Sequence, residues 1–160
     1  MINIIKAQFE DLETILQLQY AAYQSEAILC NDFTIQPLKQ TLDQVIDEYR
    51  KGVILKAVLK TSSPGRTRDE KIIGSVRAHE KENTVYIGKL MVHPDYQGNG
   101  VGRRLLAAIE NEFPKKRCEL YTACKSSRNL YLYETSGYKR FREETDNAGI
   151  KFIYFEKTRL

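Results

Sequence analysis

Residues 90–102, Leu-Met-Val-His-Pro-Asp-Tyr-Gln-Gly-Asn-Gly-Val-Gly, carry an apolar segment into a proline and then into a glycine-rich turn. Val85, Ile87, Leu90, Met91 and Val92 lead in, and the helix formers Arg103, Arg104, Leu105, Leu106, Ala107, Ala108 and Ile109 lead out. Strand, tight turn and helix start follow one another without a linker, so the chain folds as strands with helices packed on them. Such a turn leaves the first helical amides without intrahelical partners. Together with the helix dipole they form a site for an anion such as a phosphate. Gly98, Gly100 and Gly102 let the backbone approach such a ligand with no Cβ in the way, and they tolerate positive φ.

A plain flexible turn is the competing reading of three glycines. The apolar strand before them and the amphipathic helix after them are the context that favours an anion loop. Two familiar phosphate loops are excluded, because no Gly-Lys-Ser/Thr follows the glycines and their spacing is not G-x-G-x-x-G.

Gln97, Gly100 and Gly102, in the spacing Gln-x-x-Gly-x-Gly and preceded by Leu90, Val92 and Pro94, resemble the acyl-CoA pyrophosphate loop of the GNAT superfamily of N-acetyltransferases. A second block, residues 128–138 with the sequence Arg-Asn-Leu-Tyr-Leu-Tyr-Glu-Thr-Ser-Gly-Tyr, is similar to the Leu-Tyr-Glu-x-x-Gly-aromatic segment that follows the splayed fifth strand of that family. Two blocks in the right order and separation make the resemblance specific. It implies one domain over residues 1–160. The implied fold is α/β: a mixed, mostly antiparallel sheet of roughly six or seven strands with a splayed parallel central pair, and about four helices on both faces. The implied activity is acetyl-CoA-dependent transfer of an acetyl group to a primary amine by direct attack on the thioester. A CoA-binding regulatory or interaction module of the same fold, without turnover, is the alternative.

At 160 residues the chain has the size of one ordinary domain with room for a sizeable core. Its 42% apolar and 29% charged content belongs to a folded protein rather than a disordered one. The formal net charge of +4 is spread along the chain. It reads as a solvated basic surface whose mild positive field attracts an anionic cofactor, and nothing in it requires nucleic acid. Cys30, Cys118 and Cys124 are widely spaced with no Cys-x-x-Cys, and His79 and His93 lack metal-ligand spacing. Neither a disulfide framework nor a metal is expected. No signal-peptide pattern opens the chain and no apolar run approaches membrane-spanning length, so a cytoplasmic protein with no membrane contact is expected.

The β-branched run at residues 2–7 predicts a strand, and the helical spacing of Leu12, Ile15, Leu16, Leu18 and Tyr23 predicts one helix over residues 11–29. Periodicity lapses over residues 25–37. It returns as a second helix over 38–51, with Gly52 read as its stop. Strands are predicted at 53–60 and 71–78, joined by a polar hairpin loop at 61–70, and at 84–92. A third helix ends near Phe113 before Pro114; the strand at 118–123 then runs parallel to the central one because a helix connects them. A short helix over 127–136 and a closing hairpin of 138–144 and 149–157 complete the chain.

The resemblance carries roles onto particular residues. Gln97, Gly98, Asn99, Gly100, Val101, Gly102 and Arg103 would hold the diphosphate, and the backbone of Leu90, Met91 and Val92 would pair with the pantetheine amides. An amide near Met91 would polarise the thioester carbonyl. Tyr133 matches the tyrosine that protonates the departing thiolate, although a packed aromatic is its plainer role. The family's asparagine position is Ser126 here, so Asn129 either acts in its place or caps a turn; Lys125, Arg128 and Arg104 are further phosphate candidates, with solvated helix charges their plainer role. No acid lies in residues 84–92, so the base is open among Glu26, Glu80 and a water chain. A covalent route through Cys118 or Cys124 is disfavoured because no histidine lies near either in sequence. Tyr23, Glu26, Phe33 and Ile35 are candidates for contact with the acceptor, a small-molecule or peptide amine, with core packing the plainer role for Phe33 and Ile35. Many family members are dimers, so a homodimer is compatible with the resemblance.

Overall fold

The computed structural model describes residues 1–61, 65 and 69–159. Its strands are β1 (Ile2–Lys6), β2 (Val53–Thr61), β3 (Asp69–Lys81), β4 (Thr84–Val92), β5 (Arg117–Ala123), β6 (Lys139–Thr145) and β7 (Lys151–Lys157). They form one sheet in the order β1-β2-β3-β4-β5-β7-β6. Every neighbouring pair is antiparallel except β4 and β5. That parallel pair is joined only through Thr84–Arg117, Val85–Cys118 and Tyr86–Glu119, after which the two strands diverge. The hairpin loop expected over 61–70 falls largely on residues 62–64 and 66–68, which lie outside the described residues.

The helices are α1 (Leu12–Ala22), α2 (Gln24–Cys30), α3 (Gln36–Lys39), α4 (Leu42–Lys51), α5 (Val101–Asn111) and α6 (Ser127–Thr135). On one sheet face α5 and α6 bury Leu105, Leu106, Ile109 and Tyr133 against Val76, Val85, Leu120 and Phe155. On the other, α1 and α4 bury Leu12, Ile15, Leu16 and Val45 against Ile54 and Met91. Apolar residues at helical spacing thus meet the inward-facing residues of the strands, and both faces of the central strands are closed to water.

Four local differences from the sequence reading have physical causes. The single helix expected over 11–29 breaks at Tyr23 (φ −84°, ψ 0°) into α1 and α2, where no glycine or proline announces a break. The helix expected over 38–51 divides at Gln40, whose backbone is extended. Thr41 then caps α4: its Oγ1 accepts from the Gln44 amide at 3.3 Å while the Gln44 side chain accepts from the Thr41 amide at 3.0 Å. Gly52 ends α4 as expected, but not by a left-handed turn. Its φ is −147°, and it is a glycine because a Cβ there would stand 2.3 Å from the Ala78 carbonyl oxygen. Lastly, α5 begins at Val101, two residues before the expected Arg103, with Gly100 as its N-cap at φ +80°.

Candidate active site

The glycine turn sits at the open end of the gap between β4 and β5. Gly98 and Gly100 have φ of +82° and +80°, and nothing lies within 4 Å of where a Cβ would stand on either. The space in front of the first α5 amides is therefore clear, as an anion requires. Gly102 is different: a Cβ there would meet Leu132 Cδ2 at 3.6 Å and Val92 Cγ2 at 3.8 Å, ordinary contacts that leave room for alanine.

A cleft of about 540 Å³ runs from this turn along the gap. Of the expected cofactor contacts, Leu90, Met91, Val92, Gln97, Gly98, Gly100, Val101, Gly102, Arg103 and Asn129 all line it. The Asn99 side chain points back into its own turn, donating to the Tyr96 carbonyl at 3.4 Å. Gln97 buttresses the turn by donating to the Val92 carbonyl at 3.2 Å, and its side-chain oxygen accepts from Arg128. Arg103 is held against the end of α6, donating to Ser136 Oγ at 3.0 Å and Thr135 Oγ1 at 2.8 Å. Lys125 and Arg128 line the cleft, whereas Arg104 turns away and donates to the Ile2 carbonyl at 2.9 Å.

The α1–α2 break brings Tyr23 and Glu26 into the same cleft. Asn129 Nδ2 donates to Glu26 Oε1 at 3.2 Å and to Thr122 Oγ1 at 3.1 Å, so α2 is tied across to β5 and α6. Burial pushes the Glu26 carboxyl above its ordinary pKa, opposed in part by a hydrogen bond from Ser126. Tyr133 is only 5% exposed and packs edge-on to Phe155 at a centroid distance of 5.7 Å. Its ring belongs to the core, it is not among the residues lining the cleft, and the Glu26 charge acts on its phenol. Burial first, and that charge second, raise its pKa above the ordinary 10.0. Tyr23 is raised in the same way, by burial first and then by Tyr133 and Glu26.

Several candidates fall elsewhere. Glu80 pairs with Lys116 at 2.6 Å and stands opposite Val85, at the closed end of the parallel pair, so it is not placed to act as a base in the cleft. Cys118 is fully buried, with Arg159 as a side-chain partner at 3.6 Å. Phe33 is 58% exposed rather than packed in the core, and neither it nor Ile35 lines the cleft. His93 supports the turn by accepting from the Asp95 amide at 3.1 Å, and His79 stacks on Tyr86. Leu29, Tyr96 and Tyr131 line the cleft without having been singled out in the sequence. The helical spacing of Tyr131 relative to Ser127 and Arg128 is the signal that would have found it. Among the described residues no group of three or more His, Cys, Asp or Glu side chains is placed to hold a metal ion, and no helix is long and apolar enough to cross a membrane.

A sheet splayed at its parallel pair, with a glycine-capped helix facing the opening, defines a class of acyl-transfer domain. Residues 30–159 match the model of the acetyltransferase (GNAT) domain, and the chain belongs to that family of N-acetyltransferases. It is 25% identical over 166 residues to a spermidine N(1)-acetyltransferase of Thermoplasma acidophilum, covering 98% of this chain and 97% of that protein. The crystal structure of the PaiA N-acetyltransferase of the same organism, in complex with coenzyme A, superposes with a TM-score of 0.75 at 19% identity, covering 99% of each chain. The ribosomal-protein-S18-alanine N-acetyltransferase of Escherichia coli superposes with a TM-score of 0.74 at 16% identity, covering 99% of this chain and 94% of that one. These likenesses share the fold, while their acceptors differ.

Proposed function

We propose that this protein moves the acetyl group of acetyl-CoA to a primary amine by direct attack, with both substrates bound at once. The observation that carries the reading is the gap past Tyr86 and Glu119, which opens onto an unobstructed helix N-terminus at Gly100. Acetyl-CoA supplies a diphosphate to anchor and a thioester to react. The amides of residues 97–102 hold the diphosphate, and Arg103, Lys125 and Arg128 add positive charge beside it. Leu90 and Val92 offer backbone groups to an amide-bearing arm as an added strand would receive them, and the Met91 amide is available to polarise a carbonyl. Glu26, made more basic by burial, takes the proton of the attacking amine directly or through a water. Tyr133, whose raised pKa keeps its proton in place, gives it to the departing thiolate.

Thiol release from acetyl-CoA across a panel of amines tests this, with CoA affinity measured separately. Tyr133→Phe should lose about 100-fold or more in kcat while still binding CoA. A protein that binds CoA yet releases thiol with no amine would instead be a binding module.

A further inference from the structure

Asn129 stands in the first turn of α6 and lines the cleft, where the sequence reading offered it either the cofactor or a turn to cap. Its contacts point elsewhere. Nδ2 donates to Glu26 Oε1 at 3.2 Å and to Thr122 Oγ1 at 3.1 Å. A side-chain amide has two N–H donors and an ionised carboxylate only accepts, so the NH2 end is the one turned to Glu26. Both of its hydrogens are spent inside the protein, and none is left for a carbonyl of the cofactor arm. Thr122 lies behind this bridge: it is 6% exposed, does not line the cleft and is set in β5 opposite Ile153 of β7. The hydroxyl thus fixes the amide from the sheet, and the amide fixes the carboxylate.

Glu26 needs such support. Among the described residues it is the only carboxylate lining the cleft. It stands on α2, a helix of seven residues that begins at the Tyr23 break and has Ala27 as its one buried residue. Its carboxyl is carried away from that short helix on a side chain of several rotatable bonds, each free to turn unless held. Ser126, 4% exposed, makes no cap bond to α6, and its hydroxyl serves Glu26 as well. On the acetyl-transfer reading above, on which the present one rests, we propose that Asn129 and Thr122 are positioning residues for the base. They hold the Glu26 carboxylate in one orientation at the wall of the cleft, so that an arriving amine meets an aligned proton acceptor. Thr122 belongs to β5, and the backbone that receives the thioester arm belongs to β4. The bridge therefore references the base to one wall of the gap while the other wall receives the acyl donor.

The test measures kcat and KM with acetyl-CoA and with spermidine, free lysine and an alanine-ended peptide as acceptors, alongside the Kd for CoA. Asn129→Leu keeps the bulk and loses both donors. It should lower kcat about tenfold or more, the worth of one hydrogen bond to a charged group, with the Kd for CoA near wild type. Thr122→Val keeps the shape without the hydroxyl and should lower kcat several-fold, while Thr122→Ser should stay near wild type. In a Glu26→Gln background neither Asn129→Leu nor Thr122→Val should cost more than about twofold, because nothing is left to position. Melting temperatures show that each variant folds. Weaker CoA binding in Asn129→Leu with kcat unchanged makes Asn129 a cofactor contact and overturns the proposal, as does a loss that persists in full in the Glu26→Gln background. If Glu26→Gln lowers turnover while Asn129→Leu and Thr122→Val do not, the base stands and its positioning falls. If Glu26→Gln turns over like wild type, the base falls and the proposal with it, and if no amine is turned over at all, acetyl transfer falls as well.

Discussion

Burial pushes the pKa values of Glu26 and Tyr133 upward, and the Glu26 charge raises that of Tyr133 further. For a base and an acid the same direction has opposite uses. A carboxylate with a raised pKa is a better proton acceptor, while a phenol with a raised pKa keeps its proton into alkaline solution. The kcat/KM profile should therefore rise with pH through a midpoint above the ordinary 4.5 of a glutamate, with no alkaline fall from the phenol near 10.0. Glu26→Gln should flatten the acid limb. Stability runs the other way: a carboxyl whose folded pKa exceeds its unfolded one stabilises the fold below the unfolded value, and that contribution is lost as pH rises through the folded value. At neutral pH Glu26→Gln should consequently melt no lower than wild type while losing activity, measured by thermal denaturation alongside rate. The roles proposed here for Tyr133 and Glu26 start from the sequence: Tyr133 from its Leu-Tyr-Glu-x-x-Gly setting, Glu26 from its place near the end of helix one, where it was one of several candidate bases. The bulge of β4 at Lys89 and Leu90 was not legible, because a bulge is a property of strand pairing and no local sequence announces it.

At the scale of elements, two glycines separate two kinds of necessity. Gly100→Ala places a side chain at φ +80°, and the cost, about 1–2 kcal/mol, falls on the helix cap. It should weaken CoA binding measured by calorimetry more than it lowers the melting temperature. Gly52→Ala instead drives a Cβ against the Ala78 backbone between α4 and β3, far from the cleft. It should lower the melting temperature by several degrees and leave CoA affinity near wild type. The helix after the glycine turn was readable because dipole, cap and amphipathic pattern agree. Thr41-x-x-Gln44 is an equally plain start signal for α4, overlooked because the apolar spacing runs on through it. The α1–α2 break had no such mark. Its cause is tertiary, the docking of Glu26 onto Asn129 and Ser126.

For the molecule as a whole, the order β2 to β5 follows from two hairpins and one helical crossover, and the sequence supplies both, while β1 reaches β2 through α1 to α4. The insertion of β7 between β5 and β6 rests on composition: β7 carries the buried Ile153 and Phe155, while β6 is exposed along its length and rich in charge, as an edge strand should be. The closing hairpin was visible, but which arm faces inward depends on the core that α6 leaves to be filled. A ligand that binds only the folded form stabilises it by mass action. CoA at a hundred times its Kd should add about 2.7 kcal/mol. For a chain of this size that is a rise in melting temperature of about 5–10 °C, readable by calorimetry.

Three residue pairs at the centre join two half-sheets, β1 to β4 and β5 to β7. Among the described residues nothing completes the seam beyond them, so a guest whose own amides fill it would serve for that interval as an eighth strand. Amide exchange at Leu90 and Val92 should slow when CoA is present and quicken when it departs. Each catalytic cycle then removes a piece of the architecture and restores it, and the interior of the protein keeps time with its chemistry.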